Sequence, residues 1–105
     1  STVGNKFAIA LTSSSGWNPS LVEGAVGNTD YPDKRNATGF TALPGGVRDA
    51  NQLIFGSIGN YGMWWTSSEN NSAEAWDRGI ASGFSSVGRL NVLKTHGFSV
   101  RCIKD

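Results

Sequence analysis

The chain has 105 residues, room for one domain with a core of its own. It carries nine basic and eight acidic residues, for a net charge of +1, and no basic run beyond Lys34-Arg35, so nucleic acid and membrane surfaces have no electrostatic footprint to meet. No apolar run approaches the roughly 18 residues of a bilayer span. Glycine, at 14 residues, is about double its usual share of roughly 7%, and charged residues, at 16%, fall below the usual level of roughly 25%. That mix is poor in helix formers and rich in turn residues, which suits short strands joined by long ordered loops.

In chain order, residues 7–11 (FAIAL) form a short apolar run that reads as a strand. Residues 18–38 read as one long excursion, with Asn18-Pro19, Gly24, Gly27-Asn28 and Tyr31-Pro32-Asp33 as turn chemistry and Leu21 and Val22 expected to pin it to the body. Asn36-Ala37-Thr38 and Asn70-Asn71-Ser72 match the weak glycosylation pattern. Phe40 and Ala42 alternate like a strand, and Pro44-Gly45-Gly46 turns the chain. Residues 53–55 (LIF) are a further short strand.

The stretch from Tyr61 to Arg78 holds three of the four tryptophans. Residues 63–68 read as a strand that sends Met63, Trp65 and Ser67 to one face and Trp64, Thr66 and Ser68 to the other. A polar loop follows. Residues 74–80 then form a strand with Trp76, Arg78 and Ile80 on one face and Ala75, Asp77 and Gly79 on the other. Residues 98–103 are expected as the last strand, with Phe98, Val100 and Cys102 together. No amphipathic helix longer than about two turns is apparent.

Several motifs in fixed order then carry a family resemblance. GFTALPGG, GNYGMWWTSSE, AWDR, Val87-Gly88-Arg89 and GFSVRCIKD, preceded by Ser13-Ser14-Ser15-Gly16-Trp17-Asn18, resemble the C-terminal half of the Fibrobacter succinogenes major paralogous domain. The family pattern is close to GFSALPGG, GxYGxWWSSTE, AWxR and GFSVRCVKD. The resemblance implies an α+β fold similar to C-type lectins and to the formylglycine-generating-enzyme domain, of which this segment supplies mostly short antiparallel β-strands and long ordered loops with little helix. It implies an extracellular or cell-surface setting in Bacteroidota and relatives, and adhesion or ligand display. Members usually carry a Cys-Pro-containing stretch and a helix before this segment. Residues 1–105 are therefore expected to form a single domain that is the C-terminal part of a longer one, with Cys102 joined to the upstream segment or to another chain.

His96 and Cys102 are the sole nucleophile–base pair in the chain, and an apolar strand does not favour a thiolate. No catalytic motif is present, and a non-catalytic protein is expected. Glu69, Asn71 and Asp77, with Asn70 and Glu74 nearby, offer oxygen ligands of the kind calcium takes. No other cofactor is expected. Trp76, Arg78 and Cys102 read as structural, with Glu69 or Asp49 expected to pair the arginine. With Trp76 and Arg78 inward, Asp77 points outward. The expected ligand-binding set is Trp64, Trp65, Asn70, Asn71, Asp77, Phe84, Arg89 and Asn91, since exposed aromatics beside Asn and Asp suit sugar stacking with hydroxyl hydrogen bonding. The expected function is an extracellular binding or adhesion module for a glycan or surface ligand. The rival is a structural subunit or tip domain of a surface fibre, with strand edges completed by another chain.

Overall fold

The computed structural model of the chain describes residues 2–3, 7–49 and 55–102. Its centre is an antiparallel meander of β4 (Tyr61–Glu69), β5 (Glu74–Ala81) and β6 (Val87–Leu93), with β1 (Thr2–Val3) added to the outer side of β6. The four-stranded order is β1-β6-β5-β4. A two-stranded antiparallel sheet pairs β2 (Val47–Arg48) with β3 (Phe55–Gly56). The aromatic and β-branched content of 63–68 does form a strand, and the 74–80 strand is extended by one residue.

Register decides which side chains share a face. Trp64 stands opposite Arg78, Trp65 opposite Asp77, and Gly62 opposite Ile80. Across the other edge of β5, Arg78 meets Arg89 and Trp76 meets Asn91. The expected separation of Trp64 from Trp65 follows from this pleat. A bulge between Trp65 and Glu69 then shifts the pairing near the hairpin.

The 7–11 expectation is corrected. Ala8–Leu11 is a single helical turn, α1. A short apolar run does not reveal its period, and alanine and leucine are strong helix formers. The turn survives because its carbonyls are satisfied from elsewhere: Asn36, Thr38 and Ala42 donate backbone N–H groups to Ile9, Ala10 and Leu11 at 2.7, 3.0 and 2.8 Å. Ala8 and Ile9 are buried with Val26, Ala42, Ile80 and Val87, and Trp17, Tyr31 and Trp64 pack around this core.

The 18–38 excursion holds together through Arg35, a residue that its sequence context does not single out. Its guanidinium donates to the carbonyls of Asp30 (2.7 Å), Val26 (2.9 Å) and Ala25 (3.0 Å) and to the Asp30 carboxylate (2.7 Å). The side chain is 9% exposed. Leu21 and Val22, expected to pin this segment, are exposed; Ala25 and Val26 are buried in their place. The backbone of Val26 and Gly27 bonds to Phe84 and Ser82 in the β5–β6 loop.

Two other expectations change. Residues 98–102 form no strand; this segment touches its neighbours by isolated bridges, Arg48 with Gly97 and Trp64 with Ser99. Cys102 is exposed, because no ladder carries it under a second layer. Of the 53–55 strand, Phe55 begins β3, while Leu53 and Ile54 lie outside the described residues, as does Ile103.

Candidate functional site

Among the described residues, one face of the β4–β5–β6 sheet is covered at only one end. There Ile80 and Val87 lie under α1 as part of the core. Beyond them the face opens into a groove of about 480 Å³, lined from the sheet by Trp64, Trp65, Thr66, Arg78, Ile80 and Val87 and from the facing side by Phe7, Leu11, Phe40, Arg101 and Cys102. A volume and an apolar lining of this kind are typical of ligand sites.

Local chemistry explains each wall. Trp64 lies back along its own strand because position 62 is glycine: a Cβ there would overlap the Trp64 ring and the Leu43 carbonyl. Phe40 is held by Arg101, whose guanidinium stacks 3.9 Å from the ring centroid and donates to the Phe40 carbonyl at 2.6 Å. The Pro44-Gly45-Gly46 turn behind them needs Gly46 at positive φ, where a side chain would also strike the Gly56 carbonyl. Arg78 donates from Nη1 to the Asp77 carbonyl at 2.8 Å. The expected Glu69–Arg78 pair is not formed; the Glu69 carboxylate accepts from Lys94 Nζ at 2.6 Å. The bulge and the hairpin carry Glu69 toward the start of the segment after β6, within reach of lysine and away from Arg78.

Further along the same face, the Arg89 guanidinium sits 4.3 Å from the Trp76 ring centroid, and Asn91 is the cross-strand neighbour of Trp76. Of the expected ligand-binding residues, the structure therefore gathers Trp64, Arg89 and Asn91 on one face, together with Trp76 and Arg78, and Trp65 also borders the groove although its ring packs on the other face. The structure does not gather the rest. Asn70 and Asn71 lie in the β4–β5 hairpin, where their amides donate to the Glu74 carboxylate and the Asn71 oxygen accepts from Ala73 and Glu74. Phe84 is exposed in the β5–β6 loop at the opposite end of the sheet.

Trp65 and Asp77 occupy the other face. Asp77 was expected to point into solvent; it is 1% exposed. The reason is a second cover, formed by the segment after β6, which sequence alternation within β5 does not reveal. Phe98 packs against Trp65 with ring centroids 4.5 Å apart, and His96 stacks on Phe98. Asp77 Oδ1 accepts the Leu90 N–H at 3.1 Å, and Oδ2 has no hydrogen-bond partner among the described residues. Burial pushes the Asp77 carboxyl above its ordinary range, opposed by the Leu90 N–H and by the charges of Arg78 and His96. Glu69, Asn71 and Asp77, the expected calcium ligands, are therefore not brought together. Among the described residues no group of three His, Cys, Asp or Glu side chains converges either.

Phe7, Leu11, Phe40 and Arg101 were not expected at the site. They come from segments distant in sequence, and only docking across the sheet assembles them. No helix among the described residues is long and apolar enough to cross a membrane.

The family model of the Fibrobacter succinogenes major domain matches residues 9–104, and the chain belongs to that family. The motifs that carried the resemblance supply Trp64 and Arg78 to the groove, and Gly62 beneath it. No curated protein and no solved structure matches the chain.

Proposed function

We propose that this chain is a non-catalytic, extracellular or cell-surface binding module of C-type-lectin-like architecture that recognises a glycan or another surface ligand on the open face of the β4–β5–β6 sheet. The observation that carries the reading is the run of Trp76, Arg89 and Asn91 leading into an aromatic-walled groove. Aromatic faces offer stacking surfaces to sugar rings, and Arg and Asn offer donors and acceptors to hydroxyl groups. A glycan array, followed by calorimetry on any hit, tests this. Arg89→Ala and Asn91→Ala are expected to weaken binding several-fold while leaving the melting temperature within a few degrees. An array with no saccharide bound at all would sink the glycan form of the reading.

A second reading is supported by Cys102. It is exposed and lines the groove beside apolar walls, which suits a subunit of a surface assembly joined through that thiol to a further segment or another chain. The native mass under reducing and non-reducing conditions separates the two readings. A mass that does not change on reduction leaves the fibre reading without its link.

A further inference from the structure

The groove has a charge pattern that its apolar walls do not explain. Among the described residues, the charged side chains lining it are Arg78 and Arg101, both cationic, and no carboxylate lines it. Arg78 is half-buried, and its one protein hydrogen bond among the described residues goes to a backbone carbonyl, from Nη1. Among the described residues Arg101 also bonds a backbone carbonyl, through Nη1 alone. Neither forms an ion pair among the described residues. Two like charges bordering a space of low polarity repel one another, and the half-buried Arg78 also loses part of its hydration. An anion between them removes both costs. Carboxylate geometry matches the guanidinium fork.

The rest of the groove restricts the body of the ligand. Phe7, Leu11, Phe40 and Trp64 present hydrocarbon and ring surface, and among the described residues Thr66 is the one hydroxyl-bearing member of the lining. A polyhydroxylated body would lose its water here and find few partners. A saturated chain would not.

We infer that the groove binds an amphiphilic monocarboxylate, a fatty acid, with its carboxylate at Arg78 and Arg101 and its chain along Phe7, Leu11, Phe40 and Trp64. The inference rests on reading this face as a binding face, but not on the glycan contacts at Trp76, Arg89 and Asn91.

The test is calorimetric titration of the chain with three amphiphiles of one tail length, each below its micelle concentration: decanoate, decyltrimethylammonium and decyl glucoside. Decanoate is expected to bind saturably and at least about tenfold more tightly than either of the others, as expected for charge-assisted hydrogen bonds. Arg101→Gln, at an exposed position, is expected to weaken decanoate binding by about tenfold and decyl glucoside, which shares only the Phe40 wall that Arg101 supports, by much less. Arg78→Gln is expected to do the same, with thermal melting as the control for folding. Absent decanoate binding, equal affinity for the three headgroups, or an Arg101→Gln affinity equal to wild type would each overturn the inference. A positive glycan array beside a failed decanoate titration would leave the binding-module reading standing and remove this one.

Discussion

Arg35 is the most exacting place to test how this fold holds its loops. Replacing it with alanine removes four hydrogen bonds from one guanidinium: three to the carbonyls of Ala25, Val26 and Asp30 and one to the Asp30 carboxylate. Bonds to a charged group contribute about 1.5–3 kcal/mol each. They are not additive, since all four depend on one side chain and the freed Asp30 carboxylate, 29% exposed, recovers water. Breaking one side of such a buried pair costs about 3–5 kcal/mol, and the lower end, about 3 kcal/mol, applies here. For a domain of this size that is a fall in melting temperature of roughly 12 °C or more. Thermal and urea unfolding followed by tryptophan fluorescence measures it. Hydrogen exchange is expected to lose protection first at Val26, Gly27 and Thr38, whose amides tie the excursion to the body. Arg35→Lys recovers only part of the loss, because an ammonium cannot match the planar fork. An Arg35→Ala protein within about 0.5 kcal/mol of wild type, the range of an ordinary surface change, would refute the argument.

Two other predictions concern the sheet. Burial raises the Asp77 carboxyl, so between the ordinary carboxylate range and its raised value the folded chain holds a proton that the unfolded chain has released. Stability therefore falls as pH rises through that window and recovers as pH is lowered back through it. Asp77→Asn keeps an acceptor for the Leu90 N–H and removes the buried charge, so it is expected to flatten this slope and to melt no lower than wild type at neutral pH. Melting temperatures across the acid range check this; an unchanged slope with a lower melting point would refute it. Gly62→Ala sets a methyl group against the Trp64 ring and the Leu43 carbonyl, and is expected to destabilise the chain by about 1–3 kcal/mol and to shift tryptophan emission. A fully wild-type emission spectrum and melting curve would show that the ring moves aside without cost.

Much of the sheet was legible in the chain. Residues 61–81 carry a strand rich in aromatic and β-branched residues and a second, alternating strand around an Asn-rich turn, and strict alternation assigned Trp64 and Trp65 to opposite faces, as the register bears out. Local patterns failed where a segment's partner lies far away in sequence. The 7–11 run is apolar in either conformation, and α1 forms because carbonyl partners arrive from residues 36–42. Arg35 looked like an ordinary surface cation beside Lys34 until the excursion folded back around it.

The stretch around Trp64 and Trp76 shows where the boundary falls. Local pattern was enough for the two strands of this stretch, their pleat, and membership of a family whose motifs are spelled out in order. The pleat assigns side chains to faces but does not say which face is covered. That was decided by tertiary docking: the segment after β6 buries Asp77 under Trp65 and Phe98, while α1, Phe40 and Arg101 cover only one end of the opposite face and leave the groove. Alternation is a property of one strand, fixed by local backbone geometry. Burial depends on what packs above it, which only long-range contacts supply.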